Sequence, residues 1–456
     1  MTSSHVFHRR LARILPKAVR AEGVWVEDAE GKRYLDASAG PLCVNVGHGR
    51  REVIRAMAEQ AESVDYVHGN MFTTESLENL AERLANHAPE GIDRFYFISS
   101  GSEAIETAVK LARQIQLARG ETGRYKIISR KASYHGATLG ALSLGGRTSM
   151  RQPFTPMLLP SIHINPPYCL RCPYGLVHPS CGLRCAHVLD DVIRKEGAHS
   201  ISGFLAETIC GATLTAVVPP PDYYTVIRDI CHHHGVLLIL DEVMCGLGRT
   251  GRWFASEHYG VEPDLVTLGK GLGSGYVAIS AVGCGNEHME LIKEHSGWFV
   301  HGHTYSHHAI AASAALAVLK IIENENLVDR VRLLGRTFRH LLEPLRDHPH
   351  VGDVRGIGLM WGVELVKDKK NLSPYPRAEK IAERMHQDLM DRGIITYECS
   401  GFVGGDGDAL LLGPPFIIEE EHLSMAVREL TAALDGLSKS VPLRLLSASG
   451  RNNDFI

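Results

Sequence analysis

The sequence predicts an α/β protein built on a mostly parallel central sheet, and three observations carry that expectation. Through the middle of the chain, short apolar runs alternate with stretches of helical periodicity, the pattern of repeated strand–helix units. The cleanest runs, such as 236–240, have the length of a buried strand and fall far short of the ~20 apolar residues that span a bilayer. After a long helix-like stretch from Ile310 (IAASAALAVLKII), the pattern changes to amphipathic helices and separated strands, which predicts a smaller α+β unit.

The elements follow in order. Residues 24–27 and 34–36 flank the turn Glu30-Gly31 and read as a hairpin packed with the C-terminal unit. A strand is expected at 94–99 (RFYFIS), followed by a helix whose Ala104, Ala108, Leu111 and Ile115 share one face. Further strands are expected at 125–129, 201–207, 235–241, 265–268 and 277–282, with a helix at 224–233. In the C-terminal part, 360–366 reads as a strand and 378–391 as a surface helix, while the polar end 447–456 is expected to fray. The resulting division is an N-terminal segment 1–55 packing with the small domain, a large domain 56–320 and a C-terminal small domain 321–456.

Composition narrows the function classes. The chain of 456 residues is 44% hydrophobic and 22% charged, an ordinary balance for a globular protein. Its 48 basic and 52 acidic residues leave a net charge of −4, with no electrostatic footprint for nucleic acid or an anionic membrane. Neither an apolar core region nor a small-residue cleavage site follows the basic residues near the N-terminus, so no secretory signal is read there. Cys43, Cys210, Cys231, Cys245, Cys284 and Cys399 sit in apolar surroundings and read as reduced core thiols, and a cytoplasmic location is expected.

Four places could carry chemistry. Asp241 ends the run 235–241, and in open α/β sheets ligands gather beyond the carboxyl ends of strands. Lys270 follows an apolar run inside LGKGLGSG (268–275); glycines let a backbone approach a ligand, and desolvation would lower the amine's pKa and favour a Schiff base. The bland alternative is a surface turn with an ordinary lysine. SSGSEA (99–104) lies between a strand and a helix, where free N–H groups make a phosphate cradle. Ser100 with Glu103 also fits a capping box that needs no ligand. Tyr134 in the YHG tripeptide could stack on a ligand ring or be plain loop. A fifth signal, GLGRTG (246–251), satisfies the dinucleotide pattern and would imply an oxidoreductase. Residues 241–245 intervene before the first glycine, and too little chain follows for a nucleotide-binding helix.

Taken together, the stretches DASAGPLCVNVGHG (36–49), SSGSEAIETAVKLAR (99–113), SYHGAT (133–138), AET (206–208), 238–276, GHTYSHH (302–308), GIGLMWGVEL (356–365) and LLLGPPFII (410–418) resemble the class III, omega-type, pyridoxal-phosphate (PLP) aminotransferases of fold type I. The resemblance runs from about residue 20 to 435 and makes 56–320 the PLP-binding domain. It implies that Lys270 holds PLP covalently and then acts as base and acid of a 1,3-proton shift. Asp241 would pair with the pyridinium nitrogen, Val243 and Tyr134 would press on opposite ring faces, and Ser100, Gly101 and Ser102 would form the phosphate turn. Glu207 would join the network beside Asp241, with His135 a structural neighbour of Tyr134. Thr304 would reach the phosphate from the partner subunit of a homodimer, alone or paired into a tetramer.

The implied reaction is transfer of an amino group from a primary amine or omega-amino acid to pyruvate or a similar keto acid, in ping-pong order. A PLP-dependent decarboxylase or lyase is the alternative. Leu42 and Cys43 stand in the substrate-pocket segment, where many relatives carry a tryptophan. Many relatives also supply a mobile arginine for the acceptor carboxylate shortly before the Pro-Pro pair; here 408–413 (DALLLG) has none. Finally, Cys169, Cys172, Cys181 and Cys185 lie in a Pro- and Gly-rich insertion, open to a tetrahedral zinc site, a local disulfide or reduced packing thiols.

Overall fold

In the computed structural model, which describes residues 5–11 and 14–439, the apolar runs of the middle of the chain form one seven-stranded sheet. The polar end 447–456 lies outside the described residues. Three N-terminal strands, β1 (Ala18–Glu22), β2 (Trp25–Asp28) and β3 (Arg33–Asp36), precede that sheet. It consists of β4 (Arg94–Ile98), β5 (Lys126–Arg130), β6 (Ile162–Ile164), β7 (Ile201–Glu207), β8 (Leu237–Asp241), β9 (Leu265–Leu268) and β10 (Ser280–Cys284). The spatial order is β4-β10-β9-β8-β7-β5-β6. Neighbours from β9 through to β6 pair in parallel, and β10 runs against both β4 and β9.

The runs ISGFLAE and LLILD are buried along their whole length because β7 and β8 are covered on both faces, as parallel strands are. The helix Gly101–Ala118 supplies part of that cover through Ala104, Ala108, Leu111 and Ile115. The strand expected at 277–282 begins only at Ser280. The Tyr276 hydroxyl is tied to the Gly47 carbonyl at 3.0 Å and the Arg50 amide at 2.6 Å, which holds the preceding turn off the sheet.

The N-terminal hairpin joins the far end of the chain. β3 pairs in parallel with β13 (Ile394–Ile395), while β11 (Val351–Ile357), β12 (Met360–Leu365), β14 (Tyr397–Val403) and β15 (Asp406–Leu412) form a separate antiparallel sheet in the order β11-β12-β15-β14. The alanine-rich helix Ala309–Asn324 runs unbroken through residue 320. Its Ala312 and Leu319 pack into the central-sheet core, and its Val318 and Ile322 into the C-terminal one. Among the described residues, no helix is long and apolar enough to cross a membrane.

Candidate active site

The carboxyl ends of the parallel strands converge on one cavity of about 300 Å³, at the low end of the range for small-molecule sites. Asp241 ends β8 and is only 6% exposed. Its Oδ1 accepts from the Val243 amide at 3.1 Å and the Thr267 hydroxyl at 3.2 Å, and its Oδ2 lies 2.8 Å from His135 Nδ1. Three partners therefore fix this carboxylate in one orientation. Among the described residues, the other ring nitrogen of His135 is buried without a hydrogen-bond partner.

Glu207 ends β7 in the same way. It accepts from the Tyr134 amide at 3.1 Å and from the Gly211 amide at 2.6 Å, so it pins the loop that carries Tyr134. Burial pushes its carboxyl up, and His135 pulls it back down. Lys270 comes two residues after β9 with φ of +43°, a left-handed backbone that a non-glycine residue rarely adopts. Burial holds its ammonium below the usual lysine range, against the opposing pull of Asp241 and Glu207.

A helix N-terminus forms another part of the cavity wall. The Ser100 hydroxyl accepts from the Glu103 amide at 3.3 Å, and Glu103 accepts in return from the amides of Ser99 and Ser100 at 2.9 and 3.1 Å. This capping box leaves the first-turn N–H groups of Gly101 and Ser102 outside the helical ladder, at the positive end of an 18-residue helix. Ser102 also orders the facing loop, accepting from the Ala137 amide at 3.0 Å. A side chain at Gly136 would come 2.6 Å from the Ser102 hydroxyl, so this cradle admits backbone only.

Gly101, Ser102, Tyr134, His135, Glu207, Asp241, Val243 and Lys270, all expected from the sequence, line this cavity. Other expected residues do not. Ser100 is spent on the cap. Leu42 is buried in the core, turned inward by left-handed backbone at Ala39, Gly40 and Leu42, and Pro41 lines the cavity in its place. The Cys43 thiol donates to the Lys270 carbonyl at 3.3 Å, bracing the lysine's backbone from behind. Thr304 is exposed, outside this cavity, with its carbonyl accepting from the Tyr66 hydroxyl at 2.8 Å. The cavity lining also includes Arg147, Met150 and Tyr397, which carried no motif; the missing arginine before Pro414-Pro415 points to another arginine, to backbone groups or to looser holding of the carboxylate, without saying which residue.

Two further expectations meet their structural reasons here. GLGRTG (246–251) is followed only by a short 3₁₀ turn at Ala255–His258, and its Arg249 is fully buried among carbonyls, so the segment ties the fold together and offers no dinucleotide a helix end. The cysteines Cys169, Cys172, Cys181 and Cys185 line one small cavity as free thiols, Cys169 exposed and Cys185 buried. Among the described residues, no three His, Cys, Asp or Glu side chains are grouped to hold a metal ion, so the zinc expectation finds no preformed site.

A strained lysine, an oriented carboxylate at the end of the neighbouring strand and an anion cradle on one cavity are what PLP chemistry requires, and the fold with its site defines a fold type I PLP transferase. Comparison with known proteins gives the family. A model of the class-III aminotransferases matches residues 6–434. The chain is 39% identical over 438 residues to an uncharacterized aminotransferase, YodT, of Bacillus subtilis, covering 95% of this chain and 98% of that protein. It is 33% identical over 434 residues to the putrescine–pyruvate aminotransferase of Pseudomonas aeruginosa, covering 94% and 92%. An (S)-enantioselective omega-transaminase from Thermomicrobium roseum superposes with a TM-score of 0.87 at 39% identity over 93% of each chain. The chain belongs to the class-III aminotransferase family: it is a PLP-dependent enzyme acting on small-molecule amine and keto acid substrates.

Proposed function

We propose that this aminotransferase moves an amino group from a primary amine or omega-amino acid to pyruvate or a similar keto acid, in two half-reactions that share one site. The observation that carries the reading is Lys270, its ammonium destabilised by burial, facing the same cavity as the oriented Asp241. Bound there, PLP supplies a conjugated ring that accepts the electron pair left when a C–H bond beside the nitrogen breaks.

The chain's own residues do the rest. Asp241, held by His135, Thr267 and the Val243 amide, would keep a proton on the ring nitrogen. The Lys270 amine would hold the cofactor and serve as the base and acid that moves a proton from the donor carbon to the neighbouring position. Tyr134 and Val243 would contact the ring, and Glu207 fixes the loop on which Tyr134 sits. The Gly101 and Ser102 amides would bind the phosphate at the helix's positive end. Thr304 of the partner subunit completes that cradle in a cytoplasmic homodimer, alone or paired into tetramers. Its exposure outside its own chain's cavity supports this role.

The test is the visible spectrum of the holoenzyme while single amines are added without a keto acid. The expected result is a yellow band that bleaches with an amine and returns with pyruvate. A band that never bleaches with any amine would move the reading to decarboxylation or elimination.

A further inference from the structure

We propose that Arg147 is the specificity-determining residue that holds the substrate carboxylate, which makes this a site for omega-amino acids and keto acids and hostile to diamines. The inference rests on the transaminase reading above and adds the ligand that reading lacks. The strand β15, just ahead of Pro414-Pro415, carries no arginine, and Gly407–Leu412 within it is buried. A carboxylate must therefore find its partner elsewhere on the cavity wall.

The charged groups of that wall are few. Lys270, Asp241 and Glu207 stand at the cofactor end, and both carboxylates already have their donors. Two guanidinium-bearing residues remain, Arg9 and Arg147. Arg9 is exposed on the N-terminal segment. Arg147 is half-buried, and one of its terminal nitrogens donates to the Ser400 carbonyl of β14 at 2.8 Å. Among the described residues it makes no ion pair and no other side-chain hydrogen bond. Anchoring one nitrogen on a strand carbonyl fixes the planar group and leaves its other donors for a ligand, the geometry in which arginine takes a carboxylate through two parallel bonds.

Arg147 also stands on the substrate side. The Tyr397 hydroxyl, on the cavity wall, feels the charges of both Arg147 and Arg9 and lies near Tyr134. Tyr397 belongs to β14, the strand that anchors Arg147 through Ser400. A diamine would bring its second ammonium against these arginines with no free carboxylate on the lining to receive it. The donor preference should therefore differ from that of the 33%-identical relative named for putrescine.

The experiment compares wild-type holoenzyme with Arg147→Met and Arg147→Lys, using pyruvate and the carboxylate-free propanal as acceptors and β-alanine and putrescine as donors. In Arg147→Met, the ratio of kcat/KM for pyruvate to that for propanal should fall roughly 10- to 150-fold, the range for a charge-assisted contact. Arg147→Lys, which keeps the charge without the fork, should fall between. Wild type should favour β-alanine over putrescine, and Arg147→Met should erode that preference. Because each comparison is a ratio within one preparation, partial misfolding cancels. A ratio unchanged within about twofold in Arg147→Met, or wild type favouring putrescine, would overturn the assignment while transamination stands. Failure of every amine to bleach wild type would instead bring down the transaminase reading itself.

Discussion

Two glycine-rich loops leave adjacent strands of the central sheet and put a positive charge to opposite uses. After β8, the segment 246–251 carries Arg249, which is fully buried. Its guanidinium donates to the carbonyls of Leu359 and Pro414 at 3.0 and 2.6 Å and to Asn45 Oδ1 at 2.7 Å, and it lies 4.6 Å over the Phe416 ring. After β9, the segment 269–275 carries Lys270, whose amine faces the cavity. The same Asn45 touches both loops: its amide donates to the Leu247 carbonyl at 3.4 Å, and a side chain on Gly271 would collide with it. Glycine content alone therefore does not mark a ligand loop. What separates the two is whether the charge finds protein acceptors or is left without them at a strand's carboxyl end.

Four variants or conditions break or sharpen that contrast. Lys270→Ala should lower kcat by ~10⁴-fold or more, since it removes both the covalent tether and the proton carrier. Thermal unfolding should move little, and retained turnover would sink the assignment. Arg249→Met should do the reverse, costing about 3–5 kcal/mol in denaturant unfolding because Asn45 and two buried carbonyls lose their donor. Turnover per folded molecule should survive.

Gly271→Ala should cost about 1–3 kcal/mol by overpacking against Asn45. A double-mutant cycle with Asn45→Ser should show coupling of about 1 kcal/mol, and strict additivity would refute the wedge. The smallest effect is a pH shift. Burial lowers the Lys270 pKa, so the neutral amine is present at lower pH than on an exposed lysine, and the pH profile of PLP capture by apoenzyme should lie below that of Schiff-base formation with a free lysine side chain. Asp241 raises that pKa. Asp241→Asn should therefore move the capture profile to still lower pH, followed by the growth of absorbance after mixing.

Much of the cofactor end was legible along the chain because it is local. Asp241, Glu207 and the Gly101-Ser102 turn each stand at or just beyond the end of an apolar run, and Lys270 follows another within two residues, so strand periodicity places them. Ser100 shows the limit of such reading: the same residue satisfies a phosphate turn and a capping box, and only the hydrogen bonds decide for the cap. Leu42 points into the core and not onto the cavity, and that direction depends on left-handed backbone at residues 39, 40 and 42, which no periodicity reports. The start of β10 slipped for a similar reason, since Tyr276 is held by residues far earlier in the chain.

By itself the sequence determined the α/β class and the parallel strand ends, because these follow from short-range periodicity; it offered Asp241 and Lys270 as candidates at those ends, and the family resemblance joined them into one expected site. Only the tertiary structure decided which wall faces the substrate. Pro41, Arg147 and Tyr397 come from three distant segments, and a cavity wall is a property of packing between them. It also decided that Arg249 is a brace: a buried guanidinium must find its acceptors in three dimensions, and Asn45, Leu359 and Pro414 are brought together only by the fold.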